Sequence, residues 1–257
     1  MPKWFVLTVA GAYGLVIGSF LNVVIHRLPR GMSLLRPRSH CPACGGIIAW
    51  YDNVPLLSFV LLRGRCRHCR AAIPVRYPLV ELASGLVLVG VFWRFDLTVA
   101  AVEAALLTLL LLPLAVIDLE HHLLPDWLTI PGLAVGLLFS LARGIVPIAD
   151  ALVGAGLGAL VPLLVIVIYR TIRGVEGMGL GDVKLLAMIG AFLGWRGVLL
   201  TLCLGACAGA AVGLGMIIAG RGRADTELPF GTFLAAAGAV TLFAGERLMR
   251  LLGWVGP

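Results

Sequence analysis

Long apolar runs separated by short polar breaks fill most of the chain. With roughly 20 apolar residues needed to cross a bilayer, the runs predict eight spans: Trp4–Ile25, Leu79–Phe95, Leu97–Ile117, Trp127–Ala142, Ile148–Tyr169, Val183–Trp195, Val198–Ala219 and Phe230–Leu252. The breaks at Phe95/Asp96 and Trp195/Arg196 are short enough to predict tight hairpins. The first run follows a single Lys3 and has no small-residue cleavage pattern, so it reads as a span and not as a removable leader. The fold class expected is therefore an all-α polytopic membrane protein of about eight transmembrane helices, with one long polar loop, residues 26–78, between helices 1 and 2.

Composition agrees with this pattern and excludes a soluble domain. Of the 257 residues 60% are apolar, mean hydropathy is +1.04, and 13% are charged. A net charge of +7 raises the question of nucleic acid, but nine of the 20 Lys/Arg residues lie in the single 26–78 loop, which reports membrane orientation instead. With that loop in the cytoplasm, Arg170, Arg173, Lys184, Arg221 and Arg223 bring the cytoplasmic total to 14. Lys3, Arg94, Arg143, Arg196, Arg247 and Arg250 remain opposite. The expected partner is the lipid bilayer, with both termini outside and no nucleic acid.

Candidate chemistry begins with Glu176-Gly-Met-Gly-Leu-Gly-Asp182-Val-Lys184, a polar glycine-rich stretch between two apolar segments. An ionised carboxylate at bilayer depth costs a few kcal/mol on insertion scales, about 3 at a helix centre, so such residues face a cavity or a partner. The glycines are expected to turn through positive φ and to let an extended peptide approach closely. Asp118, which ends the third apolar run, is the best acidic partner for Asp182, and the topology puts both at the cytoplasmic face. The predicted sixth span is short, so Asp182 is expected to lie below the membrane surface.

Other features have structural explanations. The Gly205/Gly209/Gly213, Gly11/Gly14/Gly18 and Gly154/Gly156/Gly158 runs predict close helix packing. Cys203 and Cys207, one turn apart, are expected to pack. His121 and His122 read as interfacial residues.

The loop holds Cys41-Pro-Ala-Cys44 and Cys66-Arg-His-Cys69. Each pair can grip one ion from a tight turn, and four thiolates complete the tetrahedral shell of a closed structural Zn²⁺ site. The alternative, two disulfides, is disfavoured in a reducing cytoplasm. His40 and His68 flank the ligands and are expected outside the first coordination sphere.

Taken together, Gly18-Ser-Phe-Leu-Asn-Val-Val-Ile-His-Arg-Leu-Pro29, the two CxxC pairs, Trp50-Tyr-Asp-Asn-Val-Pro-Leu-Leu-Ser58, Leu62-Arg-Gly-Arg-Cys66, Arg76-Tyr-Pro-Leu-Val-Glu81, Asp118 with Leu124-Pro-Asp126, Gly179-Leu-Gly-Asp182 and Pro229-Phe-Gly231 resemble the bacterial type IV prepilin peptidases. The likeness runs nearly end to end and in order. GxGD alone is shared with other intramembrane aspartic proteases, whereas GxGD with the zinc loop is specific.

The resemblance implies a bifunctional enzyme of the bacterial inner membrane. It would cut the basic leader from prepilins or type II secretion pseudopilins after a glycine, then methylate the new N-terminus, usually phenylalanine, with S-adenosylmethionine. Asp118 and Asp182 would be the catalytic pair. Read from the residues, Gly179, Gly181 and Lys184 belong to a loop that receives the substrate, and Asp126 and Glu176 would bind the basic leader, orient that loop or be ordinary solvated charges. Asn53, Gly64, Arg76 and Glu81 would contact the methyl-transfer reaction. Leu180 and Thr232 occupy positions taken as variable. Residues 1–95 would form the zinc-binding methyltransferase region and 96–257 the membrane-embedded peptidase.

Two other function classes compete. A transporter could use Asp118, Asp182 and Glu103 as a proton relay, but the zinc loop has no counterpart in the second half, as an inverted repeat would require. A zinc-ribbon scaffold explains the cysteines and leaves the GxGD stretch without a purpose.

Overall fold

The computed structural model describes residues 1–142, 144–174, 178–221 and 228–254. Its helices are α1 Lys3–Arg27, α2 Leu57–Leu61, α3 Arg76–Phe95, α4 Val99–His121, α5 Asp126–Leu141, α6 Ile148–Arg173, α7 Leu180–Ile218 and α8 Phe230–Leu251, and no strand occurs among the described residues. The chain divides into two compact units, Met1–Leu97 and Thr98–Pro257.

Among the described residues six stretches are long and apolar enough to cross a membrane, where eight spans are expected. Two physical reasons account for the difference. Helix α5 is only 16 residues long, about 24 Å at 1.5 Å per residue. The expected sixth and seventh spans are the two arms of α7, joined without a loop at a kink at Gly194 (φ 69°, ψ −177°) and so continuous as one stretch.

That kink reverses the chain. An unbroken 39-residue helix would be about 58 Å long, yet both ends of α7 lie by the start of α8. A Cβ built on Gly181 would lie 2.9 Å from the Cβ of Leu124, a residue that also crowds Gly231. One built on Gly213 would lie 3.0 Å from Leu228 Cδ1. Leu200, just past the kink, packs instead near Gly245 at the far end of α8. Gly194 has the positive φ that only glycine adopts cheaply, and the turn falls one residue before the predicted break.

In the first unit α1 packs on α3 through the predicted glycine seam. A Cβ on Gly14 or Gly18 would meet α3 backbone at 2.6 and 2.7 Å, and Gly11 faces Val89. In the second unit Gly154 and Gly158 let α6 close on α7, whereas Gly156 faces open space and Gly209 makes only ordinary contacts. Cys203 and Cys207 are free and exposed, so the expected packing of these thiols within the protein does not occur. Prolines 113, 131 and 162 lie inside helices, as membrane helices tolerate when neighbours re-satisfy the freed carbonyls.

Candidate active site

The two units carry separate constellations. In the second unit Asp118 occupies the last turn of α4, and its buried position (5% exposed) follows from the α8 N-terminus laid against it. Gly231 allows this approach, since a Cβ there would sit 3.0 Å from Asp118 Cγ. Thr232 is the third residue of α8, where a backbone N–H has no partner within the helix. That N–H donates to Asp118 Oδ2 at 2.7 Å. The Thr232 hydroxyl lies 3.1 Å from the same oxygen and 2.9 Å from the carbonyl oxygen of Ala115.

Asp182 stands at the equivalent third position of α7 and is 7% exposed. The helix is capped by Gly179 in extended geometry (φ −81°, ψ 150°), and the backbone N–H of Gly179 donates to the Asp182 carboxylate, one half of a capping box. Neither Gly179 nor Gly181 has the positive φ expected of them. Gly181 serves closeness instead, because a side chain there would strike Leu124. Asp118 lies within electrostatic range of Asp182, so the two acids are brought together, each at a helix terminus that supplies a backbone donor.

The remaining substrate-loop candidates divide. Lys184 Nζ contacts both carboxylate oxygens of Asp126, at 2.7 and 2.8 Å, tying α5 to α7. Glu176 lies outside the described residues. Glu103 is fully buried 15 residues before Asp118 on α4, about 22 Å along the helix, and accepts from the Ile145 N–H at 2.5 Å. A relay that joined Glu103 to the acid pair would have to span that distance.

In the first unit the four cysteines converge, with all four sulfurs within 4.8 Å of one another and Cys41 and Cys69 sulfurs 3.8 Å apart. Tetrahedral coordination at about 2.3 Å per Zn–S bond requires sulfur separations of about 3.8 Å, so the donor set fits such an ion. Each pair sits in the same knuckle. Cys41 donates to the Gly46 carbonyl and accepts from Gly45, just as Cys66 donates to Ala71 and accepts from Arg70. The fifth residue of each is left-handed: Gly45 (φ 70°) in one, Arg70 (φ 61°) in the other. Backbone N–H groups of Cys69 and His68 favour the Cys66 thiolate and lower its pKa to about 6, and the thiolate is the form that binds metal.

Other contacts hold the loop. Arg27, 5% exposed, donates to the carbonyls of Ser33 and Pro37. Arg67 clasps Asp52 with two hydrogen bonds of 2.8 and 2.6 Å, which keep that carboxyl below its ordinary range. Between the loop and the facing ends of α1 and α3 lies a cavity of about 220 Å³. Asn53 and Glu81 line it, whereas Gly64 and Arg76 do not. Gly64 turns with φ 65° beneath the Phe59 ring, and Arg76 stacks 5.1 Å from the Tyr77 ring centre.

Two residues with clear places in these sites are not singled out by sequence pattern. Thr232 was expected to be variable, and nothing in the sequence announces a backbone donor. Asn22 was a signal in plain view, a lone amide inside an apolar span. It is 2% exposed and lines the cavity.

Two family profiles match the chain: the bacterial peptidase A24 N-terminal domain over residues 12–95 and the type IV leader peptidase family over residues 105–214. A protein of Burkholderia pseudomallei (strain 1026b) named prepilin leader peptidase/N-methyltransferase is 43% identical over 278 residues, covering 98% of this chain and 90% of that protein. Similarly named proteins of Aeromonas salmonicida (strain A449; 41% identical, covering 96% and 94%) and Myxococcus xanthus (strain DK1622; 46% identical, covering 83% and 64%) also match. No solved structure matches.

Proposed function

The chain belongs to the type IV leader peptidase family, and from that premise we propose that Asp118 and Asp182 are the catalytic pair with which it cuts prepilin leaders. Its activities are prepilin leader cleavage and N-methylation, in a multi-pass membrane protein. The observation that carries the assignment is the meeting of two buried acids at two helix N-termini, within range of each other's charge.

Two carboxyl groups so placed do not both ionise cheaply and hold one proton between them. The ionised member takes a proton from water as it attacks the scissile carbonyl. The protonated member donates to the developing oxyanion, and the roles reverse as the amine leaves. Thr232, through its N–H and hydroxyl, fixes the Asp118 carboxyl, and the Gly179 N–H fixes that of Asp182.

The client is a prepilin or pseudopilin whose basic leader lies in the cytoplasm and whose apolar helix lies in the inner membrane, so the bond after its glycine meets the acids at the cytoplasmic face. The arginine-rich 26–78 loop supports that orientation. Residues 1–95 carry methyl transfer and 96–257 proteolysis. Cys41, Cys44, Cys66 and Cys69 hold a structural Zn²⁺ whose shell, once full, has no open position for chemistry. S-adenosylmethionine supplies the methyl group to the new amine.

Mass spectrometry of a prepilin incubated with purified enzyme and S-adenosylmethionine tests the reading. Loss of the leader and gain of one methyl are expected. Asp118→Asn and Asp182→Asn should each lower cleavage by at least 10²- to 10⁴-fold, the usual worth of a general acid–base, while the protein still inserts. Cleavage that survives either change sinks the pair.

A further inference from the structure

The cavity in the first unit is lined by apolar groups, by the basic groups His26, Arg27, His40, Arg67 and His68, and by a set of acceptors where α1 meets α3. Ser19, Asn22, Val23 and His26 of α1 line it at helical spacing (i, i+3, i+4, i+7), and Glu81 faces them from α3. The Asn22 amide nitrogen donates to the carbonyls of Gly18 (3.3 Å) and Tyr77 (3.0 Å). Those two acceptors fix which way the amide points, and its oxygen Oδ1 is left buried with no partner among the described residues. A buried acceptor without a donor costs about 1–3 kcal/mol, so this set of acceptors is built to receive one.

Glu81, 9% exposed, adds a carboxylate beside it. One oxygen accepts from the Leu56 N–H at 2.8 Å, and Ser19 donates its hydroxyl to the same group, which leaves the Ser19 lone pairs free to accept. The Leu56 donor is held at φ 59°, ψ −47°, with Leu57 N–H bonded to the Pro55 carbonyl, a strained γ-turn. Strain of this kind persists where the surroundings over-determine it. The Arg27 guanidinium, which also borders the cavity, is spent on Ser33 and Pro37.

Three acceptors and an anionic charge match one group: a primary ammonium, which has three donors and no acceptor. Ile48, Phe59 and Ile73 in the walls suit an apolar body attached to it. We propose that Ser19, Asn22 and Glu81 form an ammonium seat in this cavity. The inference rests on the functional reading above and deepens it, since methyl transfer involves two such groups: the new N-terminus of the pilin and the amino-acid end of the methyl donor. For the first, passing one proton from the ammonium nitrogen to the Glu81 carboxylate leaves a neutral amine with its lone pair exposed and Glu81 as the neutral acid.

Isothermal titration of the full-length enzyme in detergent separates the sources. One arm uses a short apolar peptide beginning with Phe, with its amine free or acetylated. The other uses S-adenosylhomocysteine, free or N-acetylated. In the parent protein acetylation of one ligand should weaken binding about 10- to 100-fold, as loss of a charge-assisted contact does, and the arm that responds names the occupant. Glu81→Gln, which keeps an acceptor for Leu56, should erase that difference. Glu81→Asp, with the carboxylate drawn back by one methylene, should weaken only the free amine. Zinc content and unfolding midpoint equal to the parent's show that each variant has folded. Equal affinity for free and acetylated forms of both ligands, or a difference that survives in Glu81→Gln, overturns the seat. An enzyme that cleaves a prepilin and never methylates it would instead refute the functional reading, which the binding arms do not decide.

Discussion

The two units hold their polar groups by different means. In the second, helix packing does the work: Asp118 and Asp182 are buried because α7 and α8 begin beside them, and the backbone donors they meet belong to helix ends that need acceptors. In the first, two long helices frame a loop of about 50 residues that has only one short α-helix. Its shape comes from four sulfurs, the Arg27 contacts and the Asp52–Arg67 pair. A bundle can make carboxylates rigid with its own backbone, whereas a loop with so little apolar interior depends on cross-links of these kinds.

On the proposal that the four cysteines hold zinc, the largest effect on this contrast is loss of that metal. Binding of a structural zinc is worth about 10–16 kcal/mol in small modules, more than such a loop can replace. Chelation, or a Cys41→Ser/Cys66→Ser double variant, should therefore unfold the loop and abolish methylation while leader cleavage persists. Limited proteolysis at the loop arginines, read beside product mass, checks both halves. Cleavage lost together with the metal would mean that the second unit depends on the first.

A smaller test lies within the bundle. Thr232→Ala keeps the N–H on Asp118 and removes only the hydroxyl, so cleavage should fall about tenfold, the scale of one hydrogen bond to a charged group. KM should stay near the parent's. An unchanged rate would leave the hydroxyl as a helix-end contact to Ala115 alone.

The smallest test compares the two knuckles. Arg70 adopts the left-handed conformation that its twin Gly45 adopts freely, at a cost of about 1 kcal/mol for a residue with a side chain. Arg70→Gly should stabilise the zinc loop by a few tenths to 1 kcal/mol. Gly45→Arg, in open space, should destabilise it by a similar amount. Resistance to chelator-induced unfolding reports both.

Much of this was legible in the sequence because it depends on spacing. Apolar run length locates most spans, CxxC spacing brings four sulfurs together, and the cost of burying one aspartate directs attention to a second. What depends on tertiary approach was not. The GxGD glycines are expected to turn through positive φ and to admit a peptide, and Gly181 proves to be a clearance for Leu124. Thr232 looked replaceable because its decisive atom is a backbone nitrogen that every residue but proline carries. Run length does find the reversal in α7, since the expected break at Trp195/Arg196 falls one residue from the turn at Gly194.

The Thr232 hydroxyl has one hydrogen and two oxygens within reach. When Asp118 is charged, that hydrogen can point to it; when Asp118 is neutral, it can swing to Ala115 and receive the acid's own. Titration of the carboxyl then requires only the rotation of an O–H bond, with every heavy atom left in place. If the proposed pair is the catalyst, it is thus reset after each turnover without disturbing the helices packed around it.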